Sequence, residues 1–136
     1  MEQLSPAECV ECLMEVNVGR IVFVDAQGPC ALPINYGMFG DNVVFRIEQQ
    51  SRLRDLLGDP IAFEVDHMES NSLLGWSVLI RGVAHEVPND DLPALIRDMK
   101  GKIPSPWAEG IHNVWVSIKP NEVTGRKLSG VHTPSL

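Results

Sequence analysis

The sequence predicts a mainly β chain of the α+β class: a small antiparallel barrel of about six strands with flanking short helices. Three observations lead there. Short β-branched runs recur, several of them separated only by a few residues rich in Gly, Asp, Asn and Pro, which is hairpin chemistry. The three helical stretches fall between strands without the alternation of a parallel sheet, and no internal repeat is present. At 136 residues and 44% hydrophobic content the chain can bury a core as one domain, residues 1–136, without covalent staples.

The first helix opens at Ser5-Pro6-Ala7-Glu8, a capping box with proline at the first helical position, and Gly19 is read as its end. Arg20 to Asp25 is the first strand, and Ala26-Gln27-Gly28-Pro29 turns it into a second, Cys30 to Met38. Gly40-Asp41-Asn42 leads into the third, Val43 to Ile47. From Ser51 onward, Leu53, Leu56 and Leu57 fall at helical spacing. Asp59-Pro60 breaks that helix. Ile61 to Asp66 alternates strictly, with Ile61, Phe63 and Val65 on one face. After the polar loop Glu69-Ser70-Asn71-Ser72 comes the longest strand, Trp76 to Val87, where Gly82 marks a bulge or bend. Asn89-Asp90-Asp91 opens a third helix to about Met99. Lys102 to Gly110 reads as an irregular crossing, Asn113 to Lys119 as the last clear strand, and Gly125 to Leu128 with a polar tail closes the chain.

Charge and cysteine usage bound the function. A net charge of -7 argues against long-range attraction to nucleic acid or anionic lipid, so an anion site has to be made locally. No apolar run is long enough to span a membrane, the N-terminus has no basic or apolar leader pattern, and three cysteines fit a reducing, cytoplasmic setting. Cys9 and Cys12 form a CxxC, but inside the first helix with no strand before it and no second CxxC, so they read as small residues on a helix face.

One stretch stands out chemically. In Val43-Val44-Phe45-Arg46-Ile47-Glu48-Gln49-Gln50-Ser51-Arg52-Leu53-Arg54, three arginines of an acidic chain crowd one strand-to-helix corner. A helix start carries unpaired N–H groups and partial positive charge, Ser51 suits its cap, and Arg52 is unfavourable there unless an anion lies beside it. Two readings stand on local evidence: a phosphate site, or, as the simpler one, a solvated loop whose arginines pair with Glu48 and Asp55. Elsewhere no metalloprotease, nucleophile-elbow, Walker or dinucleotide motif is present. Glu64 and Asp66 read as one solvated strand face, and the scattered histidines 67, 85, 112 and 132 receive no role. Trp76, Trp107 and Trp115 read locally as core or interface residues.

The pieces together resemble the pyridoxamine 5'-phosphate oxidase-like FMN-binding split-barrel family, and within it the short nitroimidazole-reductase-like flavoproteins. The stretches that carry this are Leu4 to Cys9, Val18-Gly19-Arg20, Leu32 to Tyr36, Val43 to Arg46, Ser51-Arg52-Leu53, Ala62 to Asp66, Gly75 to Gly82, Pro106-Trp107, Ile118-Lys119-Pro120 and Val123 to Arg126. The resemblance implies a six-stranded antiparallel Greek-key split barrel, a homodimer, and FMN at the dimer interface. It implies that Ser51 and Arg52, with Leu53 behind them, hold the FMN phosphate. Phe45, Arg46 and Ile47 would run along the ribityl chain and ring edge. Pro33, Asn35 and Tyr36 would face the isoalloxazine, and Trp76 and Ser77 would reach it, often from the other subunit. Hydride transfer to a small-molecule substrate or electron acceptor is the implied activity, with no side chain needed as catalytic base. Close relatives read Thr, Gly and Lys where this chain has Ile47, Gln50 and Arg52. Ala31 and Tyr36 stand where true pyridoxamine phosphate oxidases carry Arg and Lys, which argues against vitamin B6 oxidation. The alternatives are a deazaflavin (F420) reductase, or a non-catalytic module binding flavin, or haem through a histidine such as His67.

Overall fold

Local chemistry sets the ends of the elements. The Ser5 hydroxyl accepts from the Glu8 N–H (3.2 Å) while the Glu8 carboxylate accepts from the Ser5 N–H (2.9 Å), which closes the capping box and starts α1, Pro6–Leu13. Those bonds also hold the Glu8 carboxyl below its ordinary pKa. Gly28 and Gly40 sit in tight turns with positive φ, where a side chain would be strained. Between such punctuation the β-branched runs extend as strands.

The computed structural model describes residues 2–71, 74–99 and 113–128. The strands are β1 (Glu2–Gln3), β2 (Val18–Asp25), β3 (Gly28–Phe39), β4 (Asn42–Glu48), β5 (Pro60–Met68), β6 (Gly75–Glu86) and β7 (Asn113–Leu128). A 3-10 turn spans Arg52–Leu56, another spans Asn89–Asp91, and α2 follows at Leu92–Asp98. All ladders are antiparallel. They run β7-β4-β3-β2-β5-β6, and β6 pairs back onto β7, so six strands close a ring to which the two-residue β1 is appended. The predicted six-stranded barrel is therefore the observed one.

Alternation fills the barrel. Phe63 is fully buried at its centre, meeting the Tyr36 ring edge-on (centroids 5.2 Å) and lying parallel to the Phe45 ring (6.3 Å). Removing such a side chain costs about 3–5 kcal/mol. α1 closes one end by burying Cys9 and Leu13, and the 3-10 turn after β4 brings Leu53, Leu56 and Leu57 against the same core. A second, smaller core lies outside the ring, where Leu95 of α2 covers Val44 and Trp115.

Three boundaries differ from expectation. Gly19 does not end α1; it lies in β2, packed so that a Cβ would come 2.6 Å from the Phe63 ring. The residues after Ser51 form a 3-10 turn instead of an α-helix. The last strand continues past Lys119 to Leu128, because a bulge opposite Arg81 and Gly82 leaves Asn121 of β7 unpaired, with Pro120 across from Gly82 and Glu122 across from Arg81, and lets β7 follow β6 to its start. The Gly82 bulge itself was expected, and a Cβ there would collide with the Lys119 carbonyl. The expected crossing at Lys102 to Gly110, Pro106-Trp107, Ser72, His112, His132 and the polar tail lie outside the described residues. Among those described, no helix is long and apolar enough to cross a membrane.

Candidate functional site

The barrel opens between β3 and β4. Residues Gly28–Asn35 of β3 pair with β2, and only Tyr36–Phe39 pair with β4. The Tyr36 N–H already donates to the Asn17 carbonyl (3.0 Å) on the β2 side. Meanwhile β4 continues along β7 through Glu48. The two strands thus part into a wedge with its vertex at Tyr36 and Phe45. Pro33 and Asn35 lie on one flank, Arg46 to Glu48 on the other, and the Ser51–Leu57 turn forms the base. Arg52 of that turn reaches back to Asp25 at the end of β2.

At the base, the backbone donors are largely spent. The Ser51 N–H donates to the Glu48 carbonyl (2.9 Å), the Leu53 N–H to Ser51 Oγ (3.1 Å), and the Arg54 N–H to the Ser51 carbonyl (3.0 Å). The predicted crown of unpaired helical N–H groups is absent, because a five-residue 3-10 turn satisfies its own donors. What remains uncommitted at the turn is the Ser51 hydroxyl proton, since Oγ only accepts, and the Arg52 guanidinium, which is 67% exposed and among the described residues meets Asp25 alone, at 3.9 Å. The arginines pair differently from the solvated-loop reading: Arg52 with Asp25, and Arg54 with Glu86 (3.5 Å) and the Gln49 carbonyl (3.5 Å). Arg46 takes a third route, its guanidinium lying 5.1 Å from the centre of the Trp115 ring on the β7 side.

The other predicted residues separate by depth. Pro33 is exposed and Asn35 half-buried, both on the outer face of β3. Phe45 and Ile47 are core side chains, so only their backbone lines the wedge. Leu53 is half-buried beneath the turn. Tyr36 is 2% exposed, and its hydroxyl donates to the Leu13 carbonyl (2.6 Å), tying α1 to the barrel; burial drives its pKa up. Its ring points inward, away from any surface ligand. Trp76 and Ser77 start β6, whereas the turn docks at its other end, where the Gly58 N–H donates to the Ala84 carbonyl (2.8 Å). At ~3.3 Å per residue that is about 26 Å away, so one chain does not bring them together. Trp76 donates instead to Glu15 (3.2 Å), in an acidic cleft of about 400 Å³ beside α1. A second open cleft, of about 450 Å³, lies past the β2–β3 hairpin tip, between Val22, Val24, Leu56, Ala62 and Arg81.

Residues 5–127 match the family described as pyridoxamine 5'-phosphate oxidase. The chain belongs to that family. The FAD-binding protein of Mycobacterium smegmatis is 31% identical, with a TM-score of 0.80 over 93% of this chain and 98% of that one. An uncharacterised protein of Mycobacterium tuberculosis is 26% identical over 132 residues, 93% of this chain and 84% of its own length. A protein of M. smegmatis that binds FAD and haem shares the fold at 20% identity, with a TM-score of 0.73 over 100% of this chain and 77% of that one.

On this family's barrel the structure adds a cluster that sequence reasoning missed. Arg20 of β2 bonds Glu64 (3.0 Å) and Asp66 (3.1 Å), both on the outer face of β5. Burial, reinforced by Asp66 and opposed by Arg20, pushes the Glu64 carboxyl up to about 7. The strict alternation of residues 61–66 showed the shared face; the arginine, 44 residues upstream of Glu64, becomes visible only with the β2–β5 register. The CxxC stays inert: burial first, then Glu15, raises the Cys12 thiol to about 11, and burial raises Cys9. Among the described residues no group of three or more His, Cys, Asp or Glu is placed to hold a metal.

Proposed function

We propose that the protein is a flavin-binding oxidoreductase whose cofactor lies in the β3–β4 wedge with its ribityl phosphate at Ser51 and Arg52. The observation that carries this is the exposed, weakly committed Arg52 next to Ser51, whose hydroxyl keeps its proton to donate, at the mouth of a barrel whose family includes a flavin-binding relative. Pro33, Asn35 and the backbone of Arg46 and Ile47 supply the flanks. Trp76 and Ser77 fit the same site only from a second copy of the chain, which makes a homodimer part of this reading. The flavin brings the redox chemistry, and this chain binds the phosphate, orients the ring and excludes water from it. Hydride transfer to a small-molecule acceptor in a cytoplasmic setting completes the proposal.

FMN matches the loosely held Arg52 at the turn. FAD is the second reading, favoured by the 31% identical FAD-binding protein; it presents the same ribityl phosphate plus an adenylate that would extend beyond the turn. The visible absorption spectrum of the protein as purified, followed by titration with FMN, FAD and F420, decides among them. Two flavin bands with FMN bound more tightly than FAD fit the proposal. A Soret band points to haem, as in the more distant relative, and uptake of none of these ligands sinks the cofactor assignment.

A further inference from the structure

Asp25 ends β2 at the tip of the β2–β3 hairpin, and its two carboxylate oxygens have separate partners. Oδ1 accepts from the Gln27 N–H (2.8 Å), which anchors the carboxylate in the turn that leads into β3. Oδ2 faces Arg52 Nη1 across 3.9 Å, about 1 Å longer than a closed charge-assisted bond. The Asp25 side chain is 29% exposed and that of Arg52 67%. Asp25 is therefore the fixed member of the pair, and the guanidinium, on its long flexible stem, the mobile one.

Neighbouring charges leave this pair to itself. Arg54 of the same turn is committed to Glu86 of β6, and Arg46 of β4 lies over the Trp115 ring. Glu48 ends β4, Asp55 lies in the turn, Asp59 follows it and His85 precedes Glu86 on β6; among the described residues none of these carboxylates pairs with Arg52. Arg52 and Asp25 together are neutral. A phosphate that reaches the guanidinium also comes within several ångströms of a carboxylate that its turn bond holds in place. Arg52 attracts that phosphate and Asp25 repels it, and the repulsion grows with every negative charge the phosphate carries.

We propose that Asp25 is a specificity-determining residue of the cofactor site: it holds Arg52 toward the hairpin and penalises a doubly charged phosphate relative to a singly charged one. This rests on the flavin reading above and deepens it. FMN ends in a phosphate monoester with two ionisable oxygens, whereas the same phosphate in FAD is linked onward and carries one charge. Asp25 narrows the preference for FMN that Arg52 alone would give, and so keeps the turn open to a dinucleotide. A carboxylate kept merely to cap the hairpin would not discriminate between the two ligands.

The test titrates wild type and Asp25→Asn with FMN, FAD and lumiflavin, which has the ring without the phosphate. The amide keeps an oxygen for the Gln27 N–H and loses the charge. At about pH 8 the variant gains about fivefold in affinity for each charge on the ribityl phosphate, so the FMN-to-FAD affinity ratio rises about fivefold while lumiflavin is unchanged. At about pH 5.5 the excess gain of FMN largely disappears, because a phosphate monoester, with its second pKa at about 6, then carries mostly one charge. Comparing variant with wild type at each pH cancels the titration of His85 and Glu64, which both proteins share. Asp25→Ser, whose hydroxyl also accepts from the turn, repeats the ordering and guards against an effect of the amide itself. Equal gains for FMN and FAD at about pH 8, no gain for FMN, or a gain for lumiflavin as large as that for FMN overturns the role of Asp25. A wild-type protein that binds none of the three overturns the flavin reading itself and this inference with it.

Discussion

The turn at Ser51 and the outer face of β2 and β5 each present an arginine, and they are held in opposite ways. Arg52 meets one carboxylate at 3.9 Å and is 67% exposed; Arg20 is clamped by two, at 3.0 and 3.1 Å. A loosely held cation retains its charge for an incoming anion but has no fixed direction. A clamped one has its charge cancelled beforehand and keeps only direction, in the donors its partners leave over. An acidic chain can therefore keep one cation available and another neutralised, because pairing within a few ångströms outweighs the net charge of the molecule.

The largest way to break this contrast is to displace the clamped side alone. Gly19 precedes Arg20 and packs on Phe63, so Gly19→Val overfills the barrel and shifts β2. A loss of about 1–3 kcal/mol in urea unfolding is expected. A destabilisation of similar size, about 1–3 kcal/mol, is expected for Tyr36→Phe, which leaves the buried Leu13 carbonyl unsatisfied. Both arginines stay in place in that variant, so the ratio of FMN to riboflavin affinity is unchanged. Salt sharpens the contrast with a smaller effect: raising NaCl weakens FMN binding through the exposed Arg52 and leaves lumiflavin binding nearly constant.

The smallest effect is on stability against pH. Glu64 has its folded pKa raised from 4.5 to about 7, so between those values the folded protein binds more protons than the unfolded chain. Stability from this group is full below pH 4.5 and lost as pH rises to about 7. Solvent screening keeps it near 1 kcal/mol or less. Glu64→Gln flattens that part of the curve, measured by urea midpoints from pH 4.5 to 8.

Much of the fold was legible because alternation and turn residues are local signals. Ile61, Phe63 and Val65 announced a buried strand face, and Gly82 announced the bulge. Gly19 was misread because a glycine after a helix resembles a helix stop, while its real role, admitting the Phe63 ring, comes from a strand more than forty residues away. The corner at Ser51 was legible in composition but not in geometry: Leu53, Leu56 and Leu57 suit a helix and do pack against the core, yet the segment closes as a five-residue 3-10 turn that spends most of its own N–H groups. Tyr36 looked like a ring contact and proved to be a core residue, since Tyr36 and Phe45 share the interior face of paired strands. Arg20 lay unremarked inside a motif, because its partners are set by register.

Whether a flavin phosphate rests on the Ser51–Arg52 turn is decided by the Ser51→Ala, Arg52→Ala double variant, titrated with FMN and with riboflavin. FMN affinity is expected to fall by tenfold or more, at about 1.5–3 kcal/mol for a charge-assisted bond, while riboflavin affinity stays within experimental error. Equal weakening of the two ligands, or no weakening of FMN, would contradict it.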